Sequence, residues 1–535
     1  MKLKNIIYTG TLLAASVAMQ TSCSDFLDTM PDNRTVMDKQ SKISGLLTTA
    51  YNTTSYVLMN ELMSDNMDYM GPQNSLGSRE GDLMYFWKED KENGNDSPES
   101  MWINWYECVA KANQALESID ELGGATTQEL SNAKGEALLL RAYNNFLLTN
   151  EFCMAYNGKT STTDMGVYYS KQVEKLQNKQ TARSTVAENY ASMAEDIEAG
   201  IPLINDSYTI PKYHFNKKAA YAFALRFYLY YEKWEQAKKY ADLLLGSNPG
   251  ASLRNYAELE NMPLSSSEQA VKIGEAYCSA EKECNLLIQT SGGDAGLALG
   301  PWRYFKRYTH SNYLANTEGV NSDNVWGGSS SVIWHTFDNN QGESDYAVIM
   351  KIPYEFEYTD QVKGYGYRHA LNVTFTLGEA LLNRAEAAIM LKQYDAACAD
   401  MNTWMHNYFK TDSVLTPEGV QKYFKSIPYA YSDAAKLTPS IKKHLSPAFD
   451  IDEEGSVQES MLQCVLNLRR IEVMHQGLRW FDIKRYNIEI PRRQIGADGK
   501  PSKNLDWLTK NDLRMAVQIP MSIYSAGVAK NPRNN

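Results

Sequence analysis

Apolar residues recur every three or four positions through several long segments, a spacing that predicts amphipathic helices. In the segment 100–122 one face carries two tryptophans, and Ser100 and Gly123 are the predicted start and stop of the helix. Two further helices are predicted over 130–152 and 184–204. The pattern therefore predicts a mainly α fold with little β structure.

Two other segments repeat one arrangement of helix, tight corner and helix. They cover 219–249 and 380–404, and their corners read KWEQA and QYDAA. In the first, Trp234 comes three positions before Ala237, and the second repeats this spacing. This pattern is typical of a tetratricopeptide-like hairpin, in which the small residue lets two helices cross closely. The two copies are far apart in the chain, so no continuous solenoid is predicted.

Three long stretches between the helices lack this periodicity. They are 55–98, 290–370 and 411–460, and they are rich in Gly, Ser, Asn, Asp and aromatic residues. Long loops in a compact protein are either functional or disordered, and this many aromatic residues argue against disordered linkers. We therefore predict ordered surface loops that lie over a helical scaffold.

Residues 1–22 have the pattern of an export signal. Two lysines precede an apolar run over 6–19, which is shorter than the ~20 residues of a membrane-spanning helix. Small residues stand before Cys23, so cleavage there would leave an N-terminal cysteine that carries lipid and anchors the chain. Ordinary secretion, with Cys23 an incidental residue, is the alternative. Residues 24–45 are predicted to form a tether.

Composition and motifs exclude several classes of protein. The 535-residue chain has a net charge of −11, which disfavours nucleic acid because phosphates demand a basic face. Seven cysteines are too few for a disulfide framework in an exported chain of this length. Zinc-protease, serine-hydrolase and phosphate-loop motifs are absent, so no catalytic residue, metal or cofactor is predicted. The two carboxylates of a glycosidase follow no spacing rule, so that activity stays open.

A specific resemblance lies near the C-terminus, in the sequence LNLRRIEVMHQGLRWFDIKRY. It combines an arginine-rich helix start, a Gly-x-Arg step and an aromatic-Asp-x-x-Arg step, and it resembles the C-terminal signature of the SusD/RagB family. The signature residues are Arg470, Glu472, Gly477, Arg479, Asp482 and Arg485. We predict a structural role for them, since at helical spacing Asp482 can pair with Arg479 or Arg485.

The resemblance covers nearly the whole mature chain and implies a SusD-like α-α superhelix, with an N-terminal part at 23–250 and a C-terminal part at 251–535. It also implies a surface lipoprotein of the Bacteroidetes outer membrane. Such proteins bind a glycan, or less often a peptide, without catalysis. They cap a SusC-type TonB-dependent transporter, and their tetratricopeptide faces pack on that partner.

Aromatic rings beside polar side chains suit a sugar, which offers an apolar CH face and a polar rim. Two loops have this composition, 79–96 and 300–337. The candidate ligand-binding residues are Trp87, Trp302, Tyr304, Trp326 and Trp334, with Arg79 and Asn324. Trp326 is the first choice, because the sequence NVWGG places it beside glycines in a polar loop. The alternative for each tryptophan is packing in the core.

Four functions therefore compete: a glycan-binding lipoprotein, a peptide-binding protein of the same architecture, a surface glycosidase, and a plain repeat scaffold. The aromatic loops favour binding over a plain scaffold, and the missing motifs favour binding over catalysis. Loop aromatics indicate stacking but not linkage or monosaccharide, so the sequence does not name the ligand.

Overall fold

Helices make up most of the regular structure, which confirms the predicted mainly α fold. The computed structural model describes residues 37, 39–75, 77–174, 182–301, 307–328, 331–333, 346–431 and 438–533. Its helices are α1 (Gln40–Thr48), α2 (Val57–Met63), α3 (Arg79–Tyr85), α4 (Pro98–Glu121), α5 (Gln128–Phe152), α6 (Val186–Gly200), α7 (Lys217–Tyr230), α8 (Trp234–Leu245), α9 (Tyr256–Glu260), α10 (Ser267–Cys278), α11 (Ala295–Leu299), α12 (Asn312–Thr317), α13 (Leu377–Met390), α14 (Tyr394–Tyr408), α15 (Pro417–Ser426), α16 (Val457–Glu472), α17 (Arg479–Tyr486) and α18 (Met521–Ser525). Its strands are β1 (Asp68–Tyr69), β2 (Asn285–Gly292), β3 (Tyr308–Thr309), β4 (Tyr354–Asp360), β5 (Tyr365–Thr376), β6 (Ile490–Ile495) and β7 (Pro501–Leu508).

Side-chain caps explain where two of the predicted helices begin. The cap of helix α4 is Ser97, three residues before the predicted Ser100, because the Ser97 hydroxyl accepts a hydrogen bond from the Ser100 amide and proline occupies the first helical position. Helix α6 is capped by Thr185, one residue after the predicted start of this helix at Ser184. Thr185 and Glu188 bond each other's backbone amides, which makes a complete capping box.

Helix α5 is central to the N-terminal half, and its residues are buried on all sides from Gly135 to Phe152. Helices α4 and α6 both pack against it. Gly135 makes the approach of α6 possible, because a Cβ at this position would come within 2.8 Å of the Gly200 carbonyl oxygen. A glycine at this position therefore lets the two helices cross closely.

The two predicted hairpins are present as α7–α8 and α13–α14. Their corners have the same conformation, with φ of +59° at Glu232 and +58° at Lys392. Ala237 and Ala397, the small residues of the repeat, are fully buried. Helix α8 packs against α13, so two hairpins that are distant in sequence are neighbours in space. The predicted boundary at residue 250 stays a prediction.

The strands form two small sheets, whose positions the hydrophobic pattern did not predict. One sheet has the order β2-β5-β4, and β5 leads into α13 through Thr376, whose hydroxyl caps the helix. The other has the order β3-β1-β6-β7 and joins strands from three distant parts of the chain. Both sheets draw strands from the segments predicted to be long loops, which are therefore ordered where the structure describes them.

The described cysteines are Cys108, Cys153, Cys278, Cys284, Cys398 and Cys464, and all six are buried free thiols. Within the described ranges, no helix combines the length and the apolar character needed to cross a bilayer.

Candidate functional site

Trp87, a predicted ligand-binding residue, is a core residue in the structure. Its side chain is 5 % exposed, and its indole N–H donates a hydrogen bond to the Met63 carbonyl at 2.9 Å. The Arg492 guanidinium lies 3.8 Å from the ring centroid. A φ of +52° turns the residue inward. The expectation of an exposed ring at this position is therefore wrong.

Trp326, the first choice among the predicted residues, is also packed. Its ring is 2 % exposed and stacks on Phe409, with the ring centroids 4.0 Å apart. Asn324 is buried beside it and donates a hydrogen bond to the side-chain oxygen of Asn467. The glycines of this loop permit a turn that inserts the indole into the core, so the packing alternative holds here. Arg79 is exposed and pairs with Glu92 at 2.6 Å.

Other predicted residues lie outside the described ranges. They are Cys23, Trp302, Tyr304 and Trp334. Trp302 and Tyr304 precede the strand Tyr308–Thr309, which forms the edge of the four-stranded sheet. Their roles stay predictions.

Partly buried aromatic rings reach the surface at a shallow cleft of about 440 Å³ beside the four-stranded sheet. We call this the aromatic cleft, and it is lined by Tyr69, Pro72, Phe86, Lys88, Gln494, Lys503, Leu505 and Asp506. Phe86 belongs to the loop predicted from the sequence, but the neighbouring Trp87 was the residue chosen there. The cleft therefore contains a partly exposed ring of the predicted loop, Phe86, whereas Trp87 of the same loop is buried.

The floor of the aromatic cleft is a row of side chains across the sheet. Tyr69 on β1 is paired with Gln494 on β6, and Gln494 is paired with Lys503 on β7. Directly paired residues of neighbouring strands project to the same face, so a ring, an amide and an ammonium group lie side by side. Gly71, with φ of +93°, leaves space for this row, because a Cβ there would approach the Gln494 amide nitrogen to 3.2 Å.

Buried rings support the exposed rings from below. Tyr69 stacks on Tyr308 with centroids 5.5 Å apart, and Tyr85 contacts Phe86 at 5.0 Å and Tyr308 at 4.6 Å. The Arg492 guanidinium lies 4.1 Å from the Tyr85 centroid. These contacts orient Tyr69 and Phe86 before any ligand arrives, which lowers the entropic cost of binding.

An ion pair ties the edge strand β3 to helix α3. The Arg307 guanidinium donates two hydrogen bonds to Asp82, at 3.1 and 3.2 Å, and the Tyr308 hydroxyl donates to the same carboxylate at 2.5 Å. Burial, followed by the bond to Asp82, raises the pKa of Tyr308 above its ordinary value. The phenol therefore stays protonated and remains a donor at neutral pH.

Polar groups around the aromatic cleft are available for a ligand. Within the described part of the chain, no hydrogen bond or ion pair engages the side chains of Lys88, Gln494 or Lys503. Asp506 differs, because it accepts a hydrogen bond from Arg514 at 2.9 Å. Exposed rings beside unengaged donors and acceptors are the combination that a sugar requires.

Sequence reasoning missed most of this site because its residues come from distant segments. Tyr69 belongs to a strand of two residues, too short to leave a periodic pattern. Gln494 and Lys503 lie on a hairpin whose sequence IPRRQI–PSKNLDWL has no apolar alternation typical of a strand pair. The sequence signal for this site was the number of aromatic residues in the loop 79–96. It did not distinguish Phe86 from the other aromatic residues of that loop.

The C-terminal signature lies elsewhere, in a buried charge cluster formed by Arg469, Arg485, Asp482, Glu386 and Tyr486. Arg469 binds Asp482 at 2.7 and 2.9 Å, and Arg485 binds Glu386 at 2.5 Å and Asp482 at 3.3 Å. The Tyr486 hydroxyl donates to Glu386 at 2.8 Å. Although burial opposes it, the two guanidinium groups lower the pKa of Glu386 to about 2. The cluster therefore fastens α13, α16 and α17 together.

Arg470 and Arg479 of the signature reach the N-terminal half. Arg479 donates two hydrogen bonds to Asp65, both at 2.9 Å, rather than pairing with Asp482. Arg470 donates to the Asn66 side chain at 2.9 Å and to the Asp65 carbonyl at 2.6 Å. These contacts join the two halves of the chain.

Glu472 and Gly477 complete the signature as packing residues. The Glu472 carboxylate accepts hydrogen bonds from Trp404 at 2.9 Å, Tyr256 at 3.1 Å and Thr376 at 3.2 Å. Gly477 has φ of +74°, and a Cβ there would lie 2.9 Å from the Tyr56 ring. No signature side chain reaches solvent as a catalytic group would.

A second, more apolar groove of about 500 Å³ lies between α1, α4 and the C-terminal segment. Its lining includes Leu46, Trp102, Tyr106, Ile523 and Val528. Polar side chains such as Lys111, Gln172 and Arg183 also line it, and one wall ends at residue 174, next to residues outside the described ranges. In the described part of the chain, no three His, Cys, Asp or Glu side chains are grouped to hold a metal ion.

Comparison with known families shows to which family this chain belongs. A family model described as starch-binding associating with outer membrane matches residues 25–229, and the SusD family model matches residues 301–520. A curated relative, SusD-like protein P38 from Formosa agariphila, is 22 % identical over 531 residues, 91 % of this chain and 92 % of the relative. The chain belongs to the SusD/RagB family.

Solved structures share the fold. A SusD superfamily protein from Bacteroides thetaiotaomicron is 18 % identical, with a TM-score of 0.63, over 93 % of this chain and 100 % of that one. A protein from Bacteroides vulgatus described as a putative sugar binding protein is 20 % identical, with a TM-score of 0.64, over 93 % of this chain and 99 % of that one. The predicted SusD-like architecture is thus confirmed.

Proposed function

We propose that this protein is a non-catalytic glycan-binding lipoprotein of the outer-membrane surface. It holds an oligo- or polysaccharide in the aromatic cleft and delivers it to a SusC-type TonB-dependent transporter, with Cys23 carrying the lipid anchor. The observation that carries the proposal is the pair of partly exposed rings, Tyr69 and Phe86, beside polar side chains that have no partner in the described structure.

The family supports both the ligand class and the location. One matching family model is described as starch-binding and associated with the outer membrane, and a related solved structure is described as a putative sugar binding protein. The shallow shape of the aromatic cleft suits a chain that continues past the protein on both sides. A buried pocket would instead suit a small molecule.

Absence of catalysis is part of the proposal. The aromatic cleft contains one carboxylate, Asp506, and Arg514 holds it in an ion pair. Canonical glycosidases use two carboxyl groups that flank the scissile bond. The cleft residues therefore support binding without hydrolysis.

Affinity measurements with a panel of polysaccharides test the binding site. We expect Phe86→Ala and Tyr69→Ala to weaken glycan binding about tenfold or more, because each removes a ring that contributes ~1.5–3 kcal/mol when fully covered. Calorimetry with the purified protein measures the loss. Retained affinity in both variants would contradict the proposed site, and release of reducing sugars would contradict the non-catalytic role.

Trp87→Phe is the matched control for Phe86→Ala. The change removes the indole N–H that bonds Met63 but keeps an apolar ring in the core. We expect it to reduce stability by ~1 kcal/mol, the typical value of a hydrogen bond, and to leave glycan affinity unchanged. Loss of binding in this variant would show that the core, not the exposed ring, controls the site.

Metabolic labelling tests the anchor separately. Radiolabelled palmitate should appear on the wild-type protein and be absent from Cys23→Ser, because the thiol is the acceptor of the lipid. Equal labelling of both proteins would assign the lipid to another residue, and no labelling of either would favour ordinary secretion.

A further inference from the structure

Two lysines at the aromatic cleft have no anionic partner among the described residues. Lys88 follows the buried Trp87, and its ammonium nitrogen lies 5.5 Å from the centroid of the Phe86 ring. Lys503 is paired across the sheet with Gln494. Both side chains are exposed, and both line the cleft together with Tyr69 and Phe86.

Nearby carboxylates are engaged by other groups. Asp506 pairs with Arg514, which also binds Asp512 at 2.8 Å. Glu89, the neighbour of Lys88, accepts a hydrogen bond from the Tyr524 hydroxyl at 3.0 Å. Asp82 beneath the cleft is taken by Arg307 and Tyr308. Neither ammonium group therefore forms an ion pair with these acids.

The cleft thus offers two ammonium groups without an ion pair in a chain whose net charge is −11. An ammonium group at the edge of a shallow site remains hydrated until an anion approaches. It then forms a charge-assisted hydrogen bond, which is stronger than a bond between neutral groups. A neutral sugar would gain hydrogen bonds from the same lysines but no attraction between opposite charges.

We propose that the aromatic cleft selects glycans that carry anionic groups, either uronic-acid carboxylates or sulfate esters. Lys88 and Lys503 bind the anions, while Tyr69 and Phe86 stack on the sugar rings and Gln494 bonds a hydroxyl. The inference rests on the proposed function and names the substrate class of that same site.

Matched pairs of ligands test the selection. Calorimetry would compare oligogalacturonate with its methyl ester, and a sulfated galactan oligosaccharide with its desulfated form. At low salt we expect an anionic form to bind roughly nine- to twenty-fivefold more tightly than its neutral form, from about three- to fivefold for each of the two lysines. The advantage should shrink as salt is raised, since screening weakens exposed charge pairs. The carboxylate and sulfate arms distinguish the two sources of charge.

Variants assign the effect to the two lysines. Lys88→Met/Lys503→Met should abolish the preference, and it should weaken binding of the neutral forms only by the hydrogen bonds that the two lysines give them. Lys500→Met is the control, because Lys500 is exposed in the same β6–β7 connection but does not line the cleft. It should keep the full preference.

The outcomes separate this inference from the proposed function. Equal affinity for charged and neutral forms, or a preference that survives the double lysine variant, overturns the inference. Binding of neutral glycans with no binding of anionic ones also overturns the inference. In that case the proposed function stands if Phe86→Ala abolishes the binding of neutral glycans. No binding of any glycan, or full binding by Phe86→Ala, contradicts the proposed function at this cleft.

Discussion

The buried charge cluster and the aromatic cleft use the same kinds of side chain for different purposes. In the cluster, Arg485 bonds Glu386 and Asp482, and its guanidinium also lies 4.5 Å from the Tyr230 ring. At the cleft, Lys88 lies beside one ring and bonds no described carboxylate. Cations whose partners belong to the protein stabilise it, whereas cations without partners are available to a ligand.

Two adjacent residues show the same difference on a smaller scale. Phe86 and Trp87 are neighbours in sequence, yet Phe86 lines the cleft and Trp87 is buried against Arg492. Tryptophan has a large ring with an N–H donor, so the sequence favoured it over phenylalanine as a ligand contact. Its hydrogen bond to Met63 and its contact with a guanidinium place it in the core instead. Whether a side chain has partners within the protein, more than its residue type, determines whether it stabilises the fold or is available to a ligand.

Glu386→Gln should have the largest effect on stability. It removes a buried charge that balances Arg469 and Arg485, and breaking a buried pair costs ~3–5 kcal/mol. Urea unfolding measures the loss. The control is Lys159→Ala, which breaks a pair whose Lys and Asp450 side chains are 64 % and 96 % exposed, and which should cost less than ~1 kcal/mol. Equal effects of the two variants would contradict the distinction between cluster and surface.

Acid should weaken the buried region through a pair of imidazoles. His310 and His475 are buried with ring centroids 5.5 Å apart, and burial lowers the pKa of His310 from 6.5 to about 4. The unfolded state therefore binds a proton more readily, and the stability contributed by His310 is lost as pH falls below 6.5 towards 4. Between pH 7 and pH 5 this amounts to about 2 kcal/mol.

His310→Asn tests this assignment, because the amide can keep the bond to the Asn66 carbonyl that the imidazole makes at 3.0 Å. Urea unfolding at pH 7 and pH 5 should show a smaller loss on acidification in the variant than in the wild type. Glu61, whose pKa burial raises to about 7, acts in the opposite direction in both proteins and cancels from the comparison. Identical losses would exclude His310 as the cause.

Gly477→Ala and Gly123→Ala form a pair that separates backbone strain from crowding. Their φ values are +74° and +91°, but an added Cβ would meet Tyr56 at 2.9 Å at Gly477 and nothing within 4 Å at Gly123. We expect ~1 kcal/mol of destabilisation at Gly123 and ~2–3 kcal/mol at Gly477, measured by urea unfolding. Similar losses would show that packing around the signature glycine is loose.

Lys88→Met/Lys503→Met should have the smallest effect on stability. Neither ammonium group has a described partner, so removal of both should change the free energy of unfolding by no more than ~0.5 kcal/mol. Thermal or urea unfolding measures it. A loss of stability as large as that of Glu386→Gln would show that these lysines stabilise the fold. The contrast between the cluster and the cleft would then be wrong.

Local patterns were sufficient for the parts of the fold that local interactions specify. The corners with Trp234 and Tyr394 predicted both hairpins, because an aromatic residue and an alanine at fixed spacing define how two helices cross. The signature around Gly477 predicted buried structural charges. Helix starts were less accurate, since the choice between Ser184 and Thr185 depends on which side chain meets Glu188.

The candidate site could not be predicted to the same depth, because its residues meet only after folding. Tyr69 and Gln494 are more than four hundred positions apart, and a single parallel pairing of β1 with β6 makes them neighbours. The direction of Trp87 follows from a positive φ that no pattern of apolar residues encodes.

By itself, the sequence determined a mainly helical SusD-like scaffold, two tetratricopeptide-like hairpins and a buried C-terminal signature, because helical periodicity and short motifs act over a few neighbouring residues. Only the tertiary structure decided which aromatic rings face solvent and which charged groups lack a partner. Burial and pairing depend on contacts between segments that are far apart in the chain, and such contacts leave no local trace in the order of residues.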